Sequence, residues 1–459
     1  MGGNDPVEIS VGEIAAPIKN ALVGGPFGSD LGTADYVPSG VPVIRGQNLS
    51  NGKFVGGEFV FVSEEKADRL KSNLARPGDL VFTQRGNAVL HGGQVAIVPD
   101  RPFKRYLVSQ SQMKLTPDQY KVESRFLYFV FTSADYRHYL RSNAVVTGVP
   151  HINLGLLREY SLSLPPLAEQ KTIAAVLGAL DDKIELNRRM NVTLDAMARA
   201  LFQSWFVDFD PVRAKLDDRQ PAALDEATAA MFPDAFQEST VGHIPLGWTV
   251  EPVGEVVECV GGGTPSTAEP RFWENGTYHW TTPKDFSSLQ SPVLIDTDRR
   301  VTAAGVSKIS SGLLPAGTLL LSSRAPVGYL AISGIPVAIN QGFIAMKTND
   351  RASSFFMLHW CQSNMAEIES RATGTTFPEI SKQNFRPIPV ILPPKPLMAA
   401  FGDSVAPLYT RITANLHECR TLAAIRDTLL PKLLSGELLV SEASFPVIRD
   451  NSGAMAEVG

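Results

Sequence analysis

Positions 173, 177, 180, 184, 187, 191 and 194 follow an alternating four- and three-residue spacing, and so do 401, 405, 408, 412, 415, 419 and 422. Most of these positions carry Ile, Leu, Val or Phe, which is the heptad signature of helices that pack along one another. The spacing predicts two long helices paired as a coiled coil. Each opens at a Pro-Pro pair, Pro165-Pro166 and Pro393-Pro394, and the offset is 393 − 165 = 228. The same offset joins Ile173/Phe401, Leu177/Val405, Leu180/Leu408, Ile184/Ile412, Asn187/Asn415, Leu194/Leu422 and Leu201/Leu429, and reaches back to Pro150/Pro378 and Ile152/Ile380. Solenoid repeats have periods of about 20–50 residues, so this is a duplicated module and not a solenoid.

The helix ends are legible. Pro166 and Pro394 suit a first turn, where a missing N–H costs nothing, and Glu169 favours the positive end of the helix dipole. The first helix should end at Phe209-Asp210-Pro211. The second should break near Pro431 and close at Ser435-Gly436. Asn187 and Asn415 lie near the two midpoints. In an antiparallel pair they should face each other and pin the register, a known use of a polar residue in an apolar seam. Helices of about 40 residues span roughly 60 Å, which suits a ligand with two separated, similar parts.

Each helix follows a β-rich head. Val41 to Arg45, Asp79 to Thr83 and Gly92 to Val98 read as strands, punctuated by Gly and Pro. Phe126 to Arg141 reads as a helix. Leu314 to Leu321 answers Ala75 to Phe82, Arg324 answers Arg85 at an offset of 239, and Asn340-Gln341 answers Ser109-Gln110 at 231. The drifting offset implies insertions inside the heads. The expected organisation is a first head over 1–164, a first spacer helix over 165–209, a connecting segment with one short helix over 210–245, a second head over 246–392, a second spacer helix over 393–436 and a tail over 437–459. The fold class is α/β (α+β): two similar globular domains joined by an antiparallel pair of long helices in a pseudo-two-fold repeat.

Composition narrows the classes. Hydrophobic residues at 44% and charged residues at 19% describe a globular chain. Cys259, Cys361 and Cys419 are scattered, with no CxxC pair, so a reducing compartment is expected and a thiolate zinc site is not. The N-terminus has no signal pattern and no run of about 18 apolar residues occurs, so a cytoplasmic protein without a membrane span is expected. The net charge of −5 places any nucleic-acid surface locally, or requires a partner to supply positive field.

Catalytic motifs are missing. No P-loop, no GxGxxG after a strand and no HxxxH or HExxH pair occurs, and Gly261-Gly262-Gly263-Thr264-Pro265 lacks the lysine and helix of a phosphate loop. Leu164-Pro165-Pro166-Leu167 lacks the polar residue that an amino-methyltransferase motif needs to hold its amine. Polar loops are instead repeated in both heads. The first has Arg45, Gln47 and Asn48, then Arg85, Gln110, and Thr147-Gly148-Val149-Pro150-His151-Ile152. The second has Lys284 and Asp285, then Arg324, Gln341, and Thr373-Gly374-Thr375-Thr376-Phe377-Pro378-Glu379-Ile380. Arg, Gln and Asn can read guanine and adenine edges, and Thr, Lys and glycine amides suit phosphates. The candidate DNA-contacting residues are Arg45, Gln47, Asn48, Arg85, Gln110, Thr147, Gly148, His151, Lys284, Asp285, Arg324, Gln341, Thr373 and Thr375, with no catalytic or metal-ligating residue.

Pro165-Pro166-Leu167-Ala168-Glu169-Gln170, Leu180-Asp181-Asp182-Lys183-Ile184-Glu185-Leu186-Asn187 and Leu201 to Val212 together resemble the central region of Type I restriction–modification specificity subunits. Ile244-Pro245-Leu246-Gly247-Trp248 resembles that family's entry to its second head, and Leu433-Leu434-Ser435-Gly436-Glu437-Leu438 its C-terminal signature. The resemblance covers the whole chain. It implies two target-recognition domains, each reading half of a bipartite site on double-stranded DNA. It further implies a spacer that docks two modification (methyltransferase) subunits, together with restriction subunits. S-adenosylmethionine and ATP would then sit on those partners, leaving this chain non-catalytic. One departure is Pro394-Lys395-Pro396-Leu397-Met398 in place of Pro-Pro-Leu-x-Glu-Gln, which predicts a less symmetric docking surface. The alternative reading is a recognition module of another restriction–modification methyltransferase or nuclease class.

Overall fold

The computed structural model describes residues 7–50, 53–86, 89, 93–145, 148–222, 224–374, 376 and 378–438. The chain divides into two compact units: residues 1–182 with 422–459, and residues 183–421. Each unit therefore contains one head and a stretch of both long helices.

In the first unit a four-stranded sheet runs in the order Val95–Ile97, Leu80–Thr83, Gln112–Leu115, Leu22–Gly24, all antiparallel. A five-stranded sheet lies in the order Tyr36–Val37, Val60–Val62, Val41–Ile44, Tyr106–Val108, Leu74–Ala75, with Tyr106–Val108 parallel to Val41–Ile44. Strands 41–44, 80–83 and 106–108 are buried along their length, which is why they read as short continuous apolar runs without alternation. Val7–Ser10 pairs antiparallel with Ser161–Leu164, tying the start of the head to the residues that lead into the first helix. The expected strand from Gly92 is confined to Val95–Ile97; Gly92 itself lies outside the described residues. The single helix expected over 126–141 is two, Ser124–Thr132 and Ala134–Asn143. Ser133 separates them because its backbone is extended and its hydroxyl accepts from the Tyr136 N–H, an N-cap that starts a new helix.

The second unit repeats this plan. Leu319–Ser323 lies between Phe343–Lys347 and Val327–Ser333 in a five-stranded sheet. A three-stranded sheet holds Arg299–Val301, Tyr278–Thr281 and Val337–Ile339, the last two parallel. Thr249–Pro252 pairs with Pro389–Leu392 just before the second helix, as 7–10 pairs with 161–164 before the first. The connecting segment holds more than the one short helix expected: Asp210–Leu216, Glu226–Ala230, and a hairpin of Phe236–Ser239 with Gly242–Pro245.

The long helices are Leu167–Phe206 and Lys395–Leu434, forty residues each. Phe209, in the left-handed region at φ 54°, turns the chain out of the first. The second does not break at Pro431, because this proline sits in the last turn, where its carbonyl still accepts from Ser435 N at 3.0 Å. Gly436 at φ 74° then ends it. Pro407 is also accommodated mid-helix.

Within the second unit the helices run antiparallel: Asn415 Nδ2 donates to Asn191 Oδ1 at 2.8 Å, Asn187 Nδ2 to Glu418 Oε2 at 2.8 Å, and Tyr409 Oη to Asp195 Oδ1 at 2.8 Å. Within the first unit Arg426 donates to Asp181 at 2.6 Å, in the same antiparallel sense. The expected Asn187–Asn415 pair does not form. Asn415 meets Asn191, one turn further along, and Asn187 is held by Glu418 and by Lys183 Nζ at 3.1 Å. Register follows what packs at the helix ends, which the midpoints do not report. Ile173, Ala174 and Leu177 share a core with Leu430 and Leu433 in one unit, and Ala198 and Phe202 with Phe401 and Val405 in the other.

The family-like motifs are largely packing devices. Phe202, Trp205 and Phe206 form an aromatic cluster with Phe356 and Phe401, and Phe206 and Phe209 also meet Trp248. Gln170 is fully buried, donating to the Lys121 and Pro165 carbonyls and accepting from Glu123 N–H. Its counterpart in the second helix is Met398, buried against apolar neighbours. That departure thus exchanges a hydrogen-bonded joint for an apolar one.

Candidate nucleic-acid interface

The same backbone hydrogen bonds gather the candidate loops in each head. Ser109 N donates to Ile44 O at 3.0 Å, as Asn340 N does to Thr281 O at 3.1 Å. Gln84 N reaches Ser111 O at 2.7 Å, as Ser323 N reaches Gly342 O at 2.8 Å. Ile152 N reaches Gln84 O at 3.0 Å, as Ile380 N reaches Ser323 O at 2.9 Å. These bonds draw together the loops that follow the parallel strand pair and the central strand and the loop that precedes the short helix Leu154–Glu159 in the first head and Lys382–Phe385 in the second. Close approach demands glycine there: a Cβ on Gly25 would lie 1.9 Å from Ser109 O, and one on Gly262 2.0 Å from Ile339 O. Within the run at 261–263, Gly262 is thus glycine for backbone packing.

A second shared feature is a pinned loop. Val145 and His151 exchange backbone hydrogen bonds at 2.9 and 3.0 Å, and so do Thr373 and Glu379 at 2.9 and 2.9 Å. Arg85 bridges to His151, and Arg324 to Glu379. An arginine at the end of a buried strand thus stands beside the closing residue of a loop in both heads. Arg85 is exposed and has no acidic partner among the described residues. Arg324 Nη1 lies 3.6 Å from Glu379 Oε2, with both side chains open to solvent at 37% and 47%.

In the second head Arg324 also lines a recess of ≈ 410 Å³ with Thr282, Pro283, Lys284, Ser287, Tyr329 and Asn340. Lys284 is exposed at its rim. Gln341 is exposed and accepts from Thr264 Oγ1 at 2.6 Å. In the first head Gln47 and Gln110 are exposed, with Gln47 Nε2 donating to Glu58 O at 3.0 Å. Arg45 is half-buried, and its Nε lacks a partner among the described residues. Gly148, at φ 80°, and Thr373 are exposed on the pinned loops. Thr147 and Thr375 lie outside the described residues.

Two candidates are corrected. Asn48 is fully buried; its Oδ1 caps Arg45 N–H at 2.9 Å and its Nδ2 donates to Gly56 O at 2.7 Å, so no edge of the amide remains for a base. Asp285 accepts from Thr282 N at 2.7 Å and from Asp298 N at 2.9 Å, closing a turn, so both of its carboxylate oxygens are engaged internally rather than offered to DNA. Asn and Asp in loops are well suited to capping, which residue type alone does not separate from recognition. Glu379, Asn340 and Tyr329 join the site unpredicted. The signal for Glu379 was its position 228 residues after His151.

No group of three or more His, Cys, Asp or Glu side chains among the described residues could hold a metal ion, and no helix is long and apolar enough to cross a membrane. Burial pushes the Cys259 thiol up to about 11 and raises that of Cys361 as well, which leaves both as inert core residues at neutral pH.

The family model for the Type I restriction modification DNA specificity domain matches residues 30–196 and again 245–397. The chain belongs to this family. The first matched stretch takes most of the first head and most of its helix, and the second takes the second head and the start of its helix, so the internal duplication is a duplication of the specificity domain. The Type I restriction enzyme HindI specificity subunit of Haemophilus influenzae is 27% identical over 442 residues, covering 87% of this chain and 94% of that protein. The MjaIX specificity subunit of Methanocaldococcus jannaschii is 25% identical over 419 residues, 89% of each chain. The crystal structure of the Type I restriction–modification S subunit from M. genitalium matches with a TM-score of 0.51 at 17% identity, covering 94% of this chain and 97% of that one, a likeness of fold. The chain is thus a DNA specificity subunit of a Type I restriction–modification system.

Proposed function

We propose that each head reads one half of a bipartite, asymmetric DNA site, that the paired helices set the unread gap between the halves, and that the helices dock two methyltransferase subunits. The chain is non-catalytic in this reading: S-adenosylmethionine, ATP and the methylation, translocation and cleavage chemistry belong to the modification and restriction partners. The observation that carries it is the repeated loop cluster with Arg85 and Arg324 at equivalent points but with different neighbours. Two copies of one scaffold with different side chains suit two different short sequences. Partner subunits would also supply the positive field that a net charge of −5 lacks.

The test is methylation mapping. The chain co-expressed with its modification subunits should direct adenine methylation to a split motif with a fixed gap. A continuous motif, or methylation by the purified chain alone with S-adenosylmethionine, would reject this reading in favour of a self-contained methyltransferase.

A further inference from the structure

The two pinned loops differ at the one residue that stands beside the arginine: His151 in the first head, Glu379 in the second. Glu379 is not an internal cap. Its backbone is fixed at both faces, by Thr373 on one side and, through Ile380 N–H to Ser323 O at 2.9 Å, by the arginine-bearing strand end on the other. Its carboxylate is nearly half exposed and 3.6 Å from Arg324 Nη1. That distance is an ion pair without a tight hydrogen bond, and it leaves the carboxylate oxygens and most guanidinium donors open to a ligand.

We infer that Glu379 is a base-specificity determinant of the second head, acting as a hydrogen-bond acceptor beside the donor Arg324. The inference rests on the reading of the heads as DNA-recognition modules. A carboxylate accepts only, and an arginine donates only. In the major groove, guanine offers O6 and N7 to an arginine, whereas the exocyclic amino group of cytosine is the donor a carboxylate can take. An exposed carboxylate facing DNA would be repelled by phosphate unless a base amino group received it, so Glu379 penalises any sequence that offers an acceptor at its position. The second half-site should therefore place an amino-bearing base, cytosine or adenine, with its amino edge toward Glu379, next to a guanine whose O6 and N7 face Arg324. At the corresponding point the first head has His151, which carries no carboxylate and imposes no such demand.

Methylation mapping of the complete complex, formed with its modification subunits, tests this. Glu379→Ala should relax the second half-site at one position, with discrimination there falling about tenfold or more, and leave the first half-site and the gap unchanged. Glu379→Gln keeps the size of the side chain and adds a donor, and should shift preference at that same position. An unaltered motif in both variants overturns the assignment while leaving the DNA-recognition reading intact. Relaxation at both half-sites also overturns it. Failure of the unmodified complex to methylate a split motif would instead remove the recognition reading itself. If Glu379→Ala abolishes methylation with a lowered melting temperature, the glutamine variant decides: a wild-type motif in it rejects the assignment.

Discussion

Single residues divide by what surrounds them. Arg85 ends a buried strand yet is itself exposed, so replacement should affect DNA and hardly affect folding. Arg85→Ala is expected to weaken specific binding by about 1–3 kcal/mol with relaxed choice at one position of the first half-site. A uniform loss with a shallower salt dependence would place it on a phosphate, and unchanged binding with a lower melting temperature would make it structural. His359 is the opposite case. It is fully buried, its Nδ1 lies 2.9 Å from Gln362 and its Nε2 3.3 Å from Tyr409 Oη, and burial lowers its pKa below the ordinary 6.5. A lowered folded pKa means that its contribution to stability is complete above 6.5 and is lost as pH falls through the folded value. Thermal melts between pH 7.5 and 5 should show a falling melting temperature, with a shallower fall in His359→Gln; an equal slope in both proteins would refute the linkage.

At the scale of elements, the helix pair contains an amide contact that is only half satisfied. Asn415 donates to Asn191, but Asn415 Oδ1 and Asn191 Nδ2 are buried without a hydrogen-bond partner among the described residues. A buried unsatisfied polar group costs about 1–3 kcal/mol, so this contact lowers the stability of the pair. Asn191→Leu with Asn415→Leu should raise resistance to urea unfolding by about 1–3 kcal/mol, whereas Asn191→Leu alone should lower it, by leaving the whole Asn415 amide unpaired. A stabilised single variant would contradict the pairing. The heptad spacing made both helices and their seam legible beforehand. The facing partners were not, because a sequence midpoint does not show how Leu430 and Leu433, or Phe401 and Val405, settle against the first helix. The helix break expected at Pro431 failed for a related reason: a proline in a last turn loses one donor but leaves its carbonyl in use.

At the scale of the molecule, each specificity domain has its own sheets and core, and each begins with a strand that pairs immediately before its long helix. Recognition should therefore be exchangeable one half at a time. Replacing residues 1–164 by the first head of another family member should change one half-site and preserve the other half-site. A junction at 150 would separate Val7–Ser10 from its partner Ser161–Leu164 and should lower yield or melting temperature. Methylation mapping of the two chimaeras checks both points, and a change in both half-sites would contradict separable heads.

The amino-acid sequence by itself determined the duplication, the two long helices, the buried central strands and the family, because these depend on periodicity and residue type, which are local or repeat at a fixed offset. It also determined that Arg85 and Arg324 occupy equivalent points. Only the tertiary structure decided which polar residues are free to meet DNA. Asn48 and Arg45 are three residues apart and chemically equally plausible, yet backbone turns bury the Asn48 amide and leave Arg45 half open. Glu379 came beside Arg324 only through a hydrogen bond between segments 57 residues apart, Ser323 and Ile380. Hydrogen-bond satisfaction is a property of the folded surroundings, so residue type can nominate a recognition group but cannot separate it from a cap.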